Sequence, residues 1–353
     1  MLEEHIGLVP LDPAVMDNRG VHRILVIRQH DQLGDLLLST PVLRALKSRF
    51  PASQITMIAR AYTAVVLENH PFIDEVLTFH EDIRRWTPQK FIHFKKRLRS
   101  GFDLTVVLNT VSHSLSSDIL AYLSRSALVL GSEHMPFGGC KRNFFYNLLA
   151  PYAAEQRHQT ERNLDIVRII GADTNDVREI AGVAEDEKAK AATLIRSLVK
   201  DTGKTVIGMH PGAGKPENRW PAAKFAAAGD LLCDQFNAGV ILFRGPREQL
   251  LVDEVAGRMK NPCAVAPVMS LRDLAAAFSQ LTLFLCNDTG VMHLAAAVGT
   301  PLVAIFGPTD PAFWKPPGSA FVAVRGRENT VMHVTVKAVV KACRDLLKSN
   351  GRI

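Results

Sequence analysis

Leu285-Cys286-Asn287-Asp288-Thr289-Gly290-Val291-Met292-His293-Leu294-Ala295-Ala296-Ala297, closed by Pro301-Leu302-Val303-Ala304-Ile305-Phe306-Gly307-Pro308-Thr309-Asp310, reads as strand, turn, helix, strand, turn. Residues 282–286 are a short apolar run of buried-strand type. Asn287 to Gly290 supply cap and turn chemistry, and residues 291–298 are small, apolar and helix-forming. Asp288 or Thr289 therefore starts a helix. The first N–H groups of a helix lack internal partners and carry partial positive charge, so this turn is a natural seat for a phosphate. Thr289 and Gly290 offer a hydroxyl and an unobstructed N–H, and His293, one turn along, is expected to face the same mouth. An ordinary capped βα unit would use the same residues, so the reading rests on their surroundings.

Two further stretches supply those surroundings. Val206-Ile207-Gly208-Met209-His210-Pro211-Gly212-Ala213-Gly214-Lys215-Pro216-Glu217-Asn218-Arg219-Trp220-Pro221 is a strand running into a Gly-rich loop and then a helix opened by Pro221. Ile24-Leu25-Val26-Ile27-Arg28-Gln29-His30-Asp31-Gln32-Leu33-Gly34-Asp35-Leu36-Leu37-Leu38-Ser39-Thr40-Pro41 is a strand whose loop carries Gly34-Asp35. In combination these motifs, with the Gly307-to-Asp310 turn, resemble glycosyltransferase family 9, the heptosyltransferases, over residues 23–315 of the chain. The resemblance implies an α/β fold of the GT-B kind: two Rossmann-like parallel-sheet domains facing across a cleft. It also implies a nucleotide-sugar donor, ADP-heptose, bound by the second domain, and an acceptor in the lipopolysaccharide core.

Composition is compatible with that reading. A chain of 353 residues exceeds one typical core, so two domains are expected. Hydrophobic content of 47% and charged content of 22% are globular values, and no window has the roughly 18 to 20 continuous apolar residues of a spanning helix. Residues 1–20 lack the basic start of a signal peptide and read as a loose extension. Five scattered cysteines without C-x-x-C spacing argue against a disulfide framework or a zinc site, which makes the cytoplasm the expected home. A net charge of +7 points to an anionic partner without choosing among nucleic acid, lipid and phosphorylated substrates.

From Arg23 onward short β-rich runs alternate with helical segments, the pattern of parallel sheets with crossover helices. Strands are expected at 23–28, 54–59, 75–79, 103–108 and 126–131, with helices at 36–50, 61–69, 113–123 and 161–170. Residues 132–160 read as long loops. The expected organisation is an extension (1–20), an acceptor-binding domain (21–180), a linker region (181–204), a donor-binding domain (205–330) and a C-terminal helix (331–353). By resemblance, that helix crosses back to the first domain.

Ligands bind beyond the carboxyl ends of strands in an open parallel sheet, and every loop named above lies at such an end. Asp35 is the candidate general base, which would take the acceptor hydroxyl's proton; as a purely structural group it would cap the following helix, and Asp31 is the fallback. Pro211, Gly212, Ala213, Gly214, Lys215, Asn218 and Arg219, with Asp288, Thr289, Gly290 and His293, would hold the diphosphate and the charge that develops on it. Many family members have lysine where this chain has Asn218, which brings no charge. Glu248 would take a ribose hydroxyl or act as a helix-dipole partner. No D-x-D motif occurs in the second domain, so a metal-independent, inverting mechanism without cofactor is expected.

Residues 83–100 carry Arg84, Arg85, Lys90, Lys95, Lys96, Arg97 and Arg99 interleaved with Trp86, Phe91, Ile92, Phe94 and Leu98. They form a basic amphipathic segment, either a packing face or a contact with anionic lipid or a phosphorylated acceptor at the inner membrane's surface. Nucleic acid is disfavoured, because one basic cluster without a recognisable module is weak support. A dehydrogenase is disfavoured by the absence of G-x-G-x-x-G. A non-catalytic or differently specific sugar-nucleotide-binding protein of the same fold is the alternative.

Overall fold

The computed structural model describes residues 7–17, 20–30, 32–110, 113–152, 157–199 and 205–351. The chain divides into two compact units, Met1–Val177 and Arg178–Ile353. In the first, β1 (Arg23–Arg28), β2 (Gln54–Arg60), β3 (Glu75–Phe79), β4 (Leu104–Val107), β5 (Leu128–Ser132) and β6 (Leu148–Ala150) form one sheet in the order β3-β2-β1-β4-β5-β6. All neighbours are parallel, with Ile24 opposite Ile55 and Leu104. Helices α1 (Leu33–Leu37), α2 (Thr40–Arg49), α3 (Ala61–Ala64), α4 (Pro88–Leu98), α5 (Leu115–Ser124) and α6 (Gln159–Arg168) connect the strands. With helices over both faces, the central strands are apolar throughout, and Ile24 to Ile27 are completely buried.

The second unit repeats the plan. Strands β7 (Thr205–His210), β8 (Ala238–Leu242), β9 (Cys263–Val265), β10 (Leu283–Asn287), β11 (Leu302–Phe306) and β12 (Phe321–Arg325) are ordered β12-β11-β10-β7-β8-β9, again all parallel. Its helices are α7 (Glu185–Leu198), α8 (Ala222–Phe236), α9 (Gln249–Arg258), α10 (Leu271–Phe278), α11 (Gly290–Ala297), α12 (Pro311–Trp314) and α13 (Val336–Ser349). In each sheet the strand order reverses at the centre, between β1 and β4 and between β7 and β10.

Several local expectations change. The helix expected at 36–50 begins earlier, at Leu33, and breaks before Thr40, because Pro41 has no N–H and its ring opposes the carbonyl four residues back. Ser39 and Thr40 hydroxyls donate to the freed carbonyls of Leu36 and Leu37 at 2.6 and 2.8 Å. Residues 132–160 are not loop throughout. They contain the short β6, and Phe144, Phe145 and Tyr146 are buried in the core. Asn147 stands in for a strand neighbour, accepting from Val129 N–H at 2.7 Å and donating to Ala127 C=O at 2.8 Å. Within the segment read as linker, α7 packs on α10 through Glu187, which pairs with Arg272 at 2.6 Å. The last helix starts at Val336, capped by Thr335. Its apolar stripe, Val339, Val340, Cys343, Leu346 and Leu347, is buried in the second unit's core.

Gly208 in β7 is a packing requirement. Phe243, Phe278 and Phe284 meet over it, with ring centroids 4.4 to 6.4 Å apart, and a Cβ at Gly208 would lie 2.4 Å from Leu281 and 3.0 Å from Phe243. Gly208→Ala therefore overpacks a closed core and is expected to lower stability by about 1–3 kcal/mol, read as a lower denaturant midpoint with an unchanged slope.

Candidate functional site

A reversal of strand order opens a crevice beyond the carboxyl ends of the two central strands, because the following connections depart to opposite sides. In the second unit the loops after β7 and β10 flank that point, and these are the two loops singled out by the sequence. Asn287, the last residue of β10 and completely buried, fastens them together. Its amide N–H₂ donates to the carbonyls of Pro211 (2.8 Å) and Gly212 (3.3 Å), and its Oδ1 accepts the N–H of Trp220 at 3.1 Å. The Trp220 indole is buried against Phe225 and donates to the Val334 carbonyl at 3.1 Å. The Gly-rich loop is thus pinned at both ends, while Gly214, Lys215 and Arg219 remain exposed. Arg219 folds back, its Nε and Nη2 donating to the Ala213 carbonyl at 3.1 and 3.0 Å.

Thr289 is the N-cap of α11, in extended conformation, and its hydroxyl makes no capping bond. The helix N-terminus and the Thr289 hydroxyl therefore stand at the crevice beside the Gly-rich loop. Asp288 accepts a hydrogen bond from the Asn218 amide at 3.2 Å, and Asn218 Oδ1 is buried without a partner. Burial pushes the Asp288 carboxyl above its ordinary value; the Thr309 hydroxyl and the charges of His293 and Lys215 oppose that rise. His293, read as facing the mouth, is 4% exposed, with Nδ1 2.8 Å from Glu179 Oε1. That partner lies 114 residues away and carries no motif.

Glu248 is the N-cap of α9, and its carboxylate accepts the Gly245 N–H at 2.6 Å. It also explains Gly212, where a Cβ would sit 1.9 Å from Glu248 Oε1. His210, which the sequence reading passed over, donates from Nδ1 to the Phe243 carbonyl at 3.1 Å. Its Nε2 is 3.6 Å from Glu248. Burial lowers its pKa against the pull of that carboxylate, so the ring is neutral.

In the first unit the crevice lies between the loops after β1 and β4. Asp35 is part-buried in the first turn of α1, where a carboxylate complements the helix dipole. Gln32 rather than Asp35 occupies the N-cap position. Asp31, the fallback base, lies outside the described residues. Buried Arg28 donates to the Leu108 carbonyl and to Asn163 Oδ1 (2.9 Å), and Asn163 in turn donates to the Leu38 carbonyl at 3.2 Å. Gln29 joins Ser116 (2.7 Å) and Ser117 (2.8 Å) at the start of α5. Asp35 thus sits on a braced loop.

The basic segment is divided in use. Phe94 and Leu98 are buried, and Trp86 packs edge-on to Phe94 at 5.1 Å while donating to the His80 carbonyl at 2.7 Å. Arg97 makes a two-pronged ion pair with Glu75, and Arg84 pairs with Asp82 at 2.9 Å. Arg85, Lys95 and Lys96 are exposed, and Ile83, Phe91 and Ile92 project apolar surface beside them.

The family model described as glycosyltransferase family 9 (heptosyltransferase) matches residues 91–342. Lipopolysaccharide heptosyltransferase 3 of Escherichia coli K12 is 29% identical over 302 residues, covering 80% of this chain and 82% of its own. Lipooligosaccharide heptosyltransferase 2 of Haemophilus influenzae is 23% identical over 314 residues, covering 86% and 88%. Among solved structures, a family 9 glycosyl transferase from Veillonella parvula superposes with a TM-score of 0.80 at 22% identity, covering 94% of this chain and 99% of that one. An E. coli heptosyltransferase solved with ADP gives 0.73 at 20%, covering 92% and 99%. At these identities the structural likeness shows the fold, GT-B.

Asn287→Ala would strand the buried Trp220 N–H and release two loop carbonyls. A loss of about 1–3 kcal/mol is expected. Protease nicking at the Gly-rich loop should appear under conditions where the wild-type loop resists.

Proposed function

This chain belongs to glycosyltransferase family 9, and from that premise we propose that it transfers heptose from ADP-heptose to a hydroxyl of the lipopolysaccharide inner core, inverting the anomeric centre without a metal. The observation that carries the reading is the pinned pair of loops at the second unit's strand reversal. One brings a Gly-rich turn with Lys215 and Arg219, and the other brings a helix N-terminus with Thr289 and Gly290. Such groups stabilise negative charge developing on a departing diphosphate, and they are already oriented before the reaction begins. Asp288 and Glu248 are assigned to sugar or ribose hydroxyls, because a carboxylate would repel the phosphates. In the first unit Asp35 takes the proton of the acceptor hydroxyl as that oxygen attacks the anomeric carbon, and the C–O bond to the diphosphate breaks on the opposite face. Relatives in the family, including an E. coli heptosyltransferase solved with ADP-2-deoxy-2-fluoro heptose, support the choice of donor.

Asn218 favours a second reading, a sugar-nucleotide-binding protein of the same fold with altered donor or no turnover. Its amide engages Asp288, where a family lysine would bring a charge, so the cation near the phosphates falls to Lys215 and Arg219. Asp35→Asn separates the two readings. It keeps shape and removes the proton acceptor, so the donor dissociation constant should hold while turnover of ADP-heptose falls about a hundredfold or more, with or without chelator present. Full turnover in that variant would remove Asp35 as base, and a wild type that binds ADP-heptose but never turns over with core acceptor would establish the second reading.

The exposed basic face of α4 is assigned to the anionic surface of the inner membrane, where the acceptor is anchored, and the protein is placed in the cytoplasm. Among the described residues no helix is long and apolar enough to cross a membrane. Ile83, Phe91 and Ile92 would enter the interface while Lys95 and Lys96 meet lipid charge. Reversing Lys95 and Lys96 to glutamate, and leaving the structural Arg97 intact, should weaken binding to phosphatidylglycerol-containing vesicles about tenfold or more at low salt, at roughly 1 kcal/mol per cation. Cosedimentation measures this, and undiminished binding would make the segment a packing face alone.

A further inference from the structure

Tyr146, Asp118 and His113 form a hydrogen-bonded chain from the core of the first unit to its rim, and the proposed reaction leaves it unused. The Tyr146 ring lies against β5 at Gly131, where a Cβ would come within 2.3 Å of the ring. The Tyr146 hydroxyl donates to one Asp118 oxygen, and His113 Nε2 lies 2.5 Å from the other. Asp118 is completely buried and Tyr146 nearly so, while the His113 side chain is 21% exposed. Burying a carboxylate costs several kcal/mol unless its partners are well placed, so a structure that needed only a loop anchor would be served by a neutral amide. Burial raises the Asp118 carboxyl, against the bonds from Tyr146 and His113, and holds the Tyr146 phenol well above its usual value, so the phenol keeps its proton.

The position of the chain is informative. His113 follows β4, and β4 borders β1 at the strand reversal, the crevice whose other wall carries Asp35. Gln29, in the β1 loop, is hydrogen-bonded to Ser116 and Ser117 of α5, the helix that carries Asp118. His134, after β5, interacts electrostatically with His113, with Asp118 and with Arg162 of α6. Burial, foremost, and the charge of Arg162 lower the His134 pKa, whereas Asp118 opposes them. Arg162 donates to the Thr110 carbonyl and lies 5.8 Å over the Tyr152 ring. A carboxylate that holds one N–H of an imidazole fixes the tautomer, and the neutral ring then carries its lone pair on the other nitrogen.

We propose that His113 contacts the acceptor, its Nδ1 receiving a hydrogen bond from a sugar hydroxyl, and that Asp118 and Tyr146 are positioning residues that fix the ring's tautomer. The proposal rests on the transferase reading and deepens it, since it gives the first unit a residue that selects a hydroxylated acceptor over its deoxy analogue. The test uses the full chain with ADP-heptose and inner core purified from heptose-deficient cells. His113→Ala should raise the acceptor KM about tenfold, as loss of one hydrogen bond implies, with kcat within a few fold and the ADP dissociation constant unchanged. His113→Asn, whose Oδ1 can stand in for Nδ1, should return KM to within about threefold of wild type. Asp118→Asn, which lets the other tautomer form, should raise KM as His113→Ala does.

An unchanged acceptor KM in His113→Ala, or equal impairment in the Ala and Asn variants, would overturn the proposal. Should His113→Ala fold poorly, as a shifted ADP dissociation constant would reveal, His113→Asn decides by the same criterion. A wild type that does not bind ADP-heptose would remove the transferase reading instead. Direct binding of immobilised core to wild type and His113→Ala would then still test the acceptor contact, and equal binding would sink it.

Discussion

The second unit depends on the buried amide of Asn287. At the end of a central strand, where the ladder stops and two loops part, three backbone groups would otherwise face each other without complementary partners. An amide offers two donors and an acceptor on a rigid plane, which matches the carbonyls of Pro211 and Gly212 and the N–H of Trp220. Aspartate would lack the donors, and an apolar residue would leave them all orphaned. Because the carbonyls point inward to Asn287, the Gly-rich loop and the first turn of α11 are held side by side at one crevice.

Each unit sets the electrostatics of its own acid. Asp288 is drawn towards protonation by burial, and its hydrogen-bond partners include the neutral Asn218 amide and the Thr309 hydroxyl. A bound diphosphate would raise it further, so the carboxyl can approach a donor's hydroxyls or phosphate edge at less electrostatic cost than an ordinary aspartate. Asp35 stands part-buried at a helix start, where the dipole favours its charged form, as a proton acceptor requires.

Positive charge is similarly partitioned. Arg28 braces the first unit's crevice from within, and Arg97 is held by Glu75. In each case a planar guanidinium spans carbonyls or a carboxylate and has become part of the framework. Other cations, Arg85, Lys95, Lys96, Lys215 and Arg219 among them, are exposed to solvent. A count of basic residues in the sequence merges these two populations.

The sequence by itself determined the alternation of strands and helices, the two units, and the loops that follow the central strands. Buried parallel strands read as apolar runs, and Gly, Pro and cap residues act locally, so Gly34-Asp35, the 211–220 loop and the start of α11 were all legible. It could not determine β6, β9 and β12, since short or half-covered edge strands are stabilised by their neighbours more than by their own pattern. Only the tertiary structure decided that Asn287 bridges two loops, that His293 belongs with Glu179, that Arg97 belongs with Glu75, and that Asp118 reaches Tyr146 and His113. Hydrogen bonds between side chains of distant segments follow no local period, and a lone Asn, Glu or His in the sequence gives no sign of which remote partner the fold will bring to it.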